Sequence, residues 1–376
     1  MPEQNQILKV LLTGGGTGGH VFPALAVADA IKAMYPGTQF LFVGAEGRME
    51  MERVPQAGYE IVGLPVAGIQ RGFSWRSLQR NISFPIKLLR SSRKARGILR
   101  SFQPDVVIGT GGYASGPVMR AAQRMGIPTL IQEQNSFPGV TNRLLAKQAD
   151  RICVAYDGME KWFPADKIVH SGNPVRQDIL NLKDKKAEGQ RHFGLDPQRD
   201  TIYLTGGSLG ARTLNDAVVC AEKLLGEPNA PNLIWQCGRY YYEMFKDLPV
   251  AALPNVHILP FVDRADLAYA AADIVVSRAG ALTISELCIV GVPAVLVPSP
   301  NVSEDHQTKN ALALTQIGAA RIVRDVDAAE KLIPETLMIL GNDALSFGLS
   351  ESIRSLGKPD AAHVIAEEAI NICKKK

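Results

Sequence analysis

Two glycine-rich turns constrain the fold of this chain more than any other feature of its sequence. The first, TGGGTGGH at residues 13–20, follows the apolar run 7–12 and precedes a helical pattern. The second, TGGSLGAR at residues 205–212, follows the apolar run 201–204 and precedes another helical pattern. A short apolar strand, a tight turn and a helix form a βα unit, and repeated units build a parallel sheet. The sequence therefore predicts two similar α/β domains, one in each half of the chain.

Further short apolar runs extend both halves into doubly wound sheets. The additional predicted strands span residues 40–43, 106–108, 129–132 and 151–154 in the first half, and residues 233–236, 256–259, 274–277, 294–297 and 320–322 in the second half. Ligands of open α/β sheets bind beyond the carboxyl ends of the strands. Because the glycine-rich turns lie at those ends, we expect a site in a cleft between two facing domains.

The composition is that of a folded globular protein. The 376 residues are 46% hydrophobic and 21% charged, which excludes a disordered chain. A net charge of +4 is too small to indicate a nucleic-acid-binding protein. The five cysteines form no CxxC pair, which argues against a disulfide framework or a zinc cluster and favours a reducing compartment. We expect no secretory signal, because the N-terminus has no basic segment followed by a long apolar core. We expect no membrane-spanning helix, because no apolar run reaches about 18 residues.

The first glycine-rich turn admits several interpretations. It contains a GxGxxG pattern, but a dinucleotide-binding domain also needs an acidic residue at the end of its second strand, and Glu46 lies beyond the predicted end at Val43. Its glycines let the backbone approach a ligand, and the following helix offers N–H groups to a phosphate or an oxyanion. An empty βα turn is the alternative. His20 ends the turn, where it has either a catalytic or ligand-orienting role or a structural one.

Polar segments of the second half also follow predicted strands. The turn at residues 205–212 suits a diphosphate, with Ser208 as an additional hydroxyl donor, unless it is a second empty turn. In the segment SRAGALTISE, residues 277–286, small residues lead into a helix, and Glu286 can accept hydrogen bonds from two vicinal hydroxyls of a ribose. The helix dipole alone also favours a glutamate near a helix N-terminus. A third polar segment, DHQTKN, occupies residues 305–310.

Residues 61–104 contain no acidic residue. Lysine and arginine side chains alternate there with large apolar ones, which is typical of a segment that contacts an anionic membrane surface. The same composition suits RNA, or a surface helix whose apolar face belongs to the core. The membrane interpretation assigns the contact to Arg80, Ile82, Phe84, Lys87 and Arg90.

A series of motifs, in order along almost the whole chain, resembles a known family. They are TGGGTGGHVFPALAVA (13–28), GTGGYASGPV (109–118), QEQNSFPGVTNRLLA (132–146), GNPVR (172–176), TGGSLGARTLN (205–215), SRAGALTISE (277–286) and DHQTKNA (305–311). In these motifs the chain closely resembles the MurG family of bacterial peptidoglycan glycosyltransferases. The resemblance implies the GT-B fold, in which two doubly wound Rossmann-like domains face each other across a cleft. It implies an N-terminal acceptor- and membrane-binding domain, residues 1–172, and a C-terminal UDP-sugar-binding domain, residues 173–376, whose last helix commonly returns to the first domain.

The resemblance also implies an activity. Members of this family transfer N-acetylglucosamine from UDP-N-acetylglucosamine to lipid I, the muramyl-pentapeptide carried on undecaprenyl diphosphate, and so form lipid II. The implied partners are these two substrates and an anionic membrane surface, not nucleic acid, and the implied location is peripheral, at the cytoplasmic face of the bacterial inner membrane. No cofactor or metal is implied, because no DxD carboxylate pair occurs in these turns and helix N-termini can stabilise the diphosphate instead. The family inverts the anomeric centre, which needs one general base, and His20 is the candidate.

The donor site that the resemblance implies draws on both halves of the chain. Val262 would offer backbone groups to uracil, Glu286 would hold the ribose hydroxyls, and Ser208 would bind the phosphate. Asn135 and Gln307 would bind sugar hydroxyls. The complete implied donor set is Thr17, Gly18, Gly19, Asn135, Arg176, Ser208, Val262, Ala281, Leu282, Thr283, Ile284, Ser285, Glu286 and Gln307.

The resemblance also implies residues on the acceptor side of the site: Tyr113 and His20 match motif positions that face the acceptor.

Three other classes of protein are alternatives to a glycosyltransferase. A UDP-sugar 2-epimerase shares the fold and the donor pocket, but a soluble epimerase needs no membrane-contacting segment. An NAD-dependent dehydrogenase would bind its cofactor in the first domain, whereas the nucleotide-binding turns are densest in the second. A non-catalytic nucleotide-binding module would not need the acceptor-side motifs at residues 109–118 and 132–146.

Overall fold

The chain folds into two compact units. The structure, a computed structural model, describes residues 7–66, 84–207, 209–302 and 305–373, with the side chains of residues 84–88 outside that description. Unit 1 comprises residues 1–176 and 359–376, and unit 2 comprises residues 177–358. The division follows Arg176 rather than residue 172, because Asn173 is hydrogen-bonded within unit 1 to Gln132 and to the backbone of Gln134.

Unit 1 is built on a parallel sheet of seven strands among its described residues. The strands are β1 (Lys9–Gly14), β2 (Gln39–Ala45), β3 (Ile61–Leu64), β4 (Val106–Gly111), β5 (Thr129–Glu133), β6 (Arg151–Val154) and β7 (Ile168–His170). They lie in the order β3-β2-β1-β4-β5-β6-β7. The helices that connect them include α1 (Gly18–Met34), α2 (Glu50–Gln56), α3 (Phe84–Phe102), α4 (Ser115–Arg124) and α5 (Val140–Leu145).

Unit 2 repeats this architecture with a parallel sheet of six strands in the part of the unit that the structure describes. The strands are β8 (Thr201–Thr205), β9 (Asn232–Gln236), β10 (Val256–Leu259), β11 (Ile274–Ser277), β12 (Ala294–Leu296) and β13 (Arg321–Ile322), in the order β10-β9-β8-β11-β12-β13. The helices include α6 (Gln177–Leu180), α7 (Lys186–Phe193), α8 (Arg212–Cys220), α9 (Glu222–Leu225), α10 (Tyr242–Phe245), α11 (Ala265–Ala271), α12 (Ala281–Val290), α13 (His306–Thr315), α14 (Ala328–Leu340) and α15 (Asp343–Arg354).

Helices cover both faces of each sheet. In β1, Val10 and Leu12 belong to the core on one face, while Leu11 belongs to the core on the other, as the alternation of side chains along a strand requires. The last helix, α16 (Ala361–Cys373), lies in unit 1, where Ile365 and Ala369 join the core that contains Val10. Strands covered on both faces are apolar along their whole length, which is why they are visible in the sequence.

The prediction of two doubly wound α/β domains is confirmed. The predicted strands 151–154, 256–259 and 274–277 have the observed bounds, and the other predicted strands differ from the observed ones only at their ends. The sequence analysis did not predict β3 and β7. Both are short edge strands with partly exposed residues, so neither has the long apolar run of a central strand.

Candidate functional site

In unit 1 most of the predicted residues follow the carboxyl ends of β1 and β4, the two adjacent strands where the strand order reverses. This is the point at which open α/β sheets bind ligands. The turns that follow the two strands are in contact: Gly112, with φ +85°, lies against the backbone of Gly15 so closely that a Cβ atom would overlap the Gly15 carbonyl. Only glycine permits both this conformation and this approach.

His20 lies between these two turns with a defined orientation. Its Nδ1 atom lies 2.9 Å from the Thr110 carbonyl oxygen, and the Thr110 hydroxyl donates to the His20 carbonyl at 2.7 Å. Because a carbonyl oxygen can only accept, Nδ1 carries the proton of the neutral ring and Nε2 keeps its lone pair. Burial lowers the pKa of His20 below the ordinary histidine value. A neutral imidazole with a lone pair on Nε2 can act as a general base.

The carboxylate of Glu133, at the end of β5, is buried near His20. Four N–H groups hold it: the backbone and side-chain nitrogens of Asn135 at 3.0 and 3.3 Å, the Gly139 backbone at 3.1 Å and Asn142 Nδ2 at 2.8 Å. Its negative charge raises the pKa of His20 and so partly opposes the effect of burial. The sequence analysis did not single out Glu133, although a charged residue within a buried strand was an available signal.

Glu50, on α2, is a second buried carboxylate that the sequence analysis missed. It is fully buried, and both of its oxygens accept from the Gly16 backbone, at 3.1 and 3.0 Å. It also accepts from the Ala45 backbone at 2.9 Å. The Gly16 N–H therefore binds a carboxylate within the unit, which removes it as a donor to a phosphate. The charge of Glu50 also raises the pKa of His20.

A buried network of amide side chains supports the carbonyl group that orients His20. Gln134 Nε2 donates to the Thr110 carbonyl oxygen at 2.7 Å, so this oxygen accepts from both Gln134 and His20. Gln134 also donates to Gln132, and Gln132 donates to Asn173 at 2.9 Å. Hydrogen bonds thus connect the orientation of His20 with Asn173, near the end of the first segment of unit 1.

The remaining predicted residues of unit 1 are more exposed. Thr17 is the N-cap residue of α1, and Gly18 and Gly19 are its first two residues, whose N–H groups have no acceptors within the helix. Tyr113 follows the turn after β4 with 59% of its surface exposed. Arg176 is half-buried at the end of the continuous part of the unit.

In unit 2 the second glycine-rich turn connects β8 with α8. Gly207 and Gly210 have φ values of +81° and +75°, and Gly210 lies directly against the Cys237 carbonyl. The Gly207 N–H donates to the Thr205 hydroxyl at 3.1 Å. The helix that follows is nine residues long, and its N-terminus offers N–H groups to an anion. Ser208, the predicted phosphate ligand, lies outside the described residues.

Gln236, at the end of β9, joins this turn to the segment that contains Val262. Its Nε2 atom donates to the Thr205 hydroxyl at 3.0 Å and to the Gly207 carbonyl at 2.9 Å, and its Oε1 atom accepts from the Val262 backbone at 3.0 Å. A nucleobase would therefore have to share the Val262 N–H with Gln236. The sequence analysis did not single out Gln236.

The predicted donor-binding stretch forms the start of α12. Ala281, Leu282 and Thr283 are half-buried in its first turn. Ile284 is buried in the core, so its side chain packs within the unit. The Ser285 hydroxyl donates to the Ala281 carbonyl at 3.0 Å.

Two further predicted residues of unit 2 carry polar side chains on helices. Glu286, half-buried on α12, accepts from the Tyr269 hydroxyl at 2.9 Å. Gln307, on α13, accepts from the Ser299 backbone at 2.9 Å through its Oε1 atom. Its Nε2 atom is the end of the amide that could donate to a sugar hydroxyl.

The predicted membrane patch lies partly within α3. Arg80 and Ile82 lie outside the described residues, whereas Phe84, Lys87 and Arg90 belong to the helix. From Arg90 onward the helix is amphipathic: Ser91, Ala95 and Leu99 form its buried stripe, and the basic residues face away from it. Leu89 is 53% exposed beside the exposed Arg90. The stripe formed by these three residues therefore belongs to the core, and Leu89 is the exposed large apolar residue among the described side chains of the helix.

The described residues provide neither a membrane-spanning helix nor a cluster of metal ligands. None of the helices they form combines the length and the hydropathy that a membrane crossing requires. They also contain no group of three or more His, Cys, Asp or Glu side chains that could hold a metal ion.

Comparisons with known proteins cover both units. Residues 10–154 match the glycosyltransferase family 28 N-terminal domain, and residues 201–364 match the glycosyltransferase family 28 C-terminal domain. The UDP-N-acetylglucosamine--N-acetylmuramyl-(pentapeptide) pyrophosphoryl-undecaprenol N-acetylglucosamine transferase of Bacteroides fragilis is 52% identical over 374 residues, 99% of this chain and 97% of that protein. The crystal structure of Acinetobacter baumannii MurG matches with a TM-score of 0.75 and 31% identity, over 97% of this chain and 99% of that one. A UDP-GlcNAc 2-epimerase from Neisseria meningitidis shares the fold at 14% identity, with a TM-score of 0.66 over 97% of this chain and all of that one.

Proposed function

Because this chain belongs to glycosyltransferase family 28, we propose that it transfers N-acetylglucosamine from UDP-N-acetylglucosamine to lipid I, forming lipid II for peptidoglycan synthesis. The observation that carries this proposal is the 52% identity, over nearly the whole chain, to a transferase whose name states the two substrates. The fold alone would not suffice, since the same fold also serves an epimerase.

The proposed reaction is a single displacement with one proton transfer. His20 Nε2 accepts the proton of the acceptor's 4-hydroxyl while that oxygen forms a bond to C1 of N-acetylglucosamine. The bond between C1 and the diphosphate oxygen breaks on the opposite side, UDP leaves with the electron pair, and the configuration at C1 inverts. The negative charges of Glu133 and Glu50 favour the imidazolium that forms, since both raise the pKa of His20. The proton then passes from His20 to solvent.

We assign the donor mainly to unit 2. The N-terminus of α8 and Ser208 would bind the diphosphate, Glu286 the ribose and the Val262 backbone the uracil. Gln307 would donate to a sugar hydroxyl. The first turn of α12, Ala281 to Thr283, would line the same site together with Ser285 and the backbone of Ile284, whose side chain lies in the core. From unit 1, the predicted donor contacts are Thr17, Gly18, Gly19, Asn135 and Arg176, and Tyr113 is the predicted acceptor contact.

We infer a peripheral location at the cytoplasmic face of the bacterial inner membrane, because lipid I is anchored there by its undecaprenyl chain. The start of α3 supports a contact with anionic lipid, since Leu89 and Arg90 are both exposed and the helix contains no acidic residue. In this proposal unit 1 binds acceptor and membrane, and Arg80, Ile82, Phe84, Lys87 and Arg90 form the contact.

An assay of product formation with purified protein tests the transferase against the epimerase alternative. With UDP-N-acetylglucosamine and a soluble lipid I analogue, we expect release of UDP together with a disaccharide product. Without the analogue, we expect the donor to remain unchanged. Conversion of the donor to UDP-N-acetylmannosamine in the absence of acceptor would establish the epimerase instead, and binding of the donor with no product under either condition would indicate a non-catalytic nucleotide-binding module.

A further inference from the structure

Tyr269 is a buried residue that contacts the carboxylate of Glu286, to which we assign the ribose. It is 3% exposed on α11, and its hydroxyl donates to Glu286 Oε2 on α12 at 2.9 Å. Its ring contacts Tyr203 of β8 edge-on, with the ring centroids 5.3 Å apart and an interplanar angle of 84°. The core therefore fixes the position of the phenol, and the phenol in turn holds a carboxylate that is only half-buried.

The direction of this hydrogen bond determines its effect. A carboxylate can only accept, so the Tyr269 hydroxyl must donate. The terminal torsion of a glutamate side chain is broad, so an unsupported Glu286 would sample many carboxylate orientations. A rigid donor on one oxygen restricts that torsion before a ligand arrives. A ligand hydroxyl that donates to the same carboxylate then does not have to overcome the entropy of ordering the side chain.

We propose that Tyr269 is a positioning residue that makes donor binding selective for ribose over deoxyribose. It contacts Glu286 and not the ligand, and it acts by holding the carboxylate in the orientation that accepts from the ribose hydroxyls. The inference rests on the proposed function, in which Glu286 binds the ribose of a UDP-sugar. Its consequence is specific: the Tyr269 hydroxyl contributes to the affinity for UDP only when the ligand carries the hydroxyl that Glu286 accepts from.

The test measures binding of UDP, 2′-deoxy-UDP and 3′-deoxy-UDP by calorimetry to the full chain and to Tyr269→Phe. We expect the wild type to bind UDP more tightly than at least one deoxy analogue. In Tyr269→Phe we expect the affinity for UDP to fall about three- to tenfold, the usual effect of one lost hydrogen bond. The affinity for the discriminated deoxy analogue should stay nearly constant, so the ribose preference should shrink by the same factor.

A matched control separates positioning from stability. Tyr59 is also buried, and its hydroxyl donates to Asp29 at 2.6 Å in unit 1. Tyr59→Phe removes the same kind of hydrogen bond, and we expect it to leave UDP affinity and the ribose preference unchanged. A second variant, Glu286→Asp, draws the carboxylate away from Tyr269 without changing the core. Because it also draws the carboxylate away from the ribose, it should lose the ribose preference by itself, and an undiminished preference in this variant would contradict the positioning role of Tyr269.

The outcomes are distinguishable. If the wild type prefers ribose and Tyr269→Phe keeps that preference undiminished, Tyr269 is not a positioning residue, whereas the proposed function stands. If the wild type binds UDP and its deoxy analogues equally, the ribose assignment of Glu286 in the proposed function fails first. Adding Tyr269→Phe to Glu286→Ala should cause no further loss of UDP affinity; a full additional loss would mean that the tyrosine acts independently of the carboxylate.

Discussion

The two glycine-rich turns have the same local design but different electrostatic surroundings. Both follow a parallel strand and lead into a helix, and both contain a glycine in contact with a neighbouring backbone. In unit 1 the Gly16 N–H donates to the buried carboxylate of Glu50, and the Glu133 carboxylate lies near the same turn. In unit 2 the corresponding hydrogen bonds involve neutral groups, the Thr205 hydroxyl and the Gln236 amide.

This difference favours proton transfer at one turn and anion binding at the other, two functions that the glycine-rich motif alone does not distinguish. Buried carboxylates repel a phosphate, but they stabilise a histidine that gains a proton, so the turn of unit 1 suits proton transfer. A neutral turn at a helix N-terminus suits an anion, so the turn of unit 2 suits a diphosphate. A glycine-rich βα turn therefore indicates that a ligand can approach the backbone, and the buried side chains behind it determine which chemistry is favoured.

The largest effect is expected from removing the base in unit 1. His20→Ala should lower turnover about 10²–10⁴-fold, because a general base is lost, with little change in donor affinity. Steady-state kinetics and calorimetry with UDP-N-acetylglucosamine measure the two quantities. His170→Ala is the matched control, because His170 is an exposed histidine of the same unit beside Asp157 and Glu160. Near-full turnover in a folded His20→Ala protein would remove His20 from the mechanism.

The membrane contact assigned to unit 1 should be the next largest effect. Each basic residue near an anionic leaflet contributes about 1 kcal/mol, so reversing Arg80, Lys87 and Arg90 to Glu should weaken vesicle binding about 10²-fold or more. Sedimentation with anionic vesicles measures this, and added salt should weaken wild-type binding without abolishing it.

The control for the membrane contact is a triple reversal in unit 2. The exposed residues Lys183, Arg191 and Lys223 change the net charge equally when they are replaced by Glu. We expect this control to bind vesicles nearly as well as the wild type and both triple variants to bind UDP-N-acetylglucosamine normally. Equal vesicle binding by the wild type and by the variant of Arg80, Lys87 and Arg90 would contradict the membrane contact and favour the interpretation as an ordinary surface helix.

A smaller effect is expected from the carboxylate of unit 2. Glu286→Ala should weaken UDP-N-acetylglucosamine binding by about 1.5–3 kcal/mol, because a hydrogen bond to a charged acceptor is lost. Glu330, in the first turn of α14, is an exposed glutamate near a helix N-terminus of the same unit. Glu330→Ala therefore removes a glutamate that interacts with a helix dipole but has no assigned contact with the donor. Calorimetry should show that its donor affinity is unchanged. Equal affinities of wild type and Glu286→Ala would contradict the ribose assignment.

The smallest effect is expected from removing the negative charge of Glu50, which distinguishes the turn of unit 1 from that of unit 2. The charge of Glu50 raises the pKa of His20, so Glu50→Gln should lower it further. The base is active when neutral, and the acidic limb of the pH–rate profile should therefore move to lower pH. The amide oxygen of glutamine can still accept from Gly16 and Ala45, which preserves the turn. Glu46→Gln, which removes an exposed carboxylate paired with Lys94 at 3.0 Å, should leave the limb in place; an equal shift in both variants would show that only overall charge matters.

The sequence determined the architecture of both units and the position of both turns. Buried parallel strands are apolar throughout, and glycine-rich turns are contiguous in the chain, so both are visible without the structure. The same locality placed His20 at the end of its turn and Glu286 near the start of its helix. The edge strands β3 and β7 were not predicted, since a half-exposed strand of three or four residues has little pattern of its own.

Only the tertiary structure identified the buried residues that determine the electrostatic surroundings of each turn and support the residues of the candidate site. Glu50 reaches Gly16 across 34 positions of sequence, Gln236 joins the turn after β8 to Val262, and Tyr269 holds Glu286 from another helix. These side chains act through contacts between elements that are distant in the chain. The effect of a charge or a hydroxyl depends on its burial and its partners, and both arise only when the strands and helices pack together.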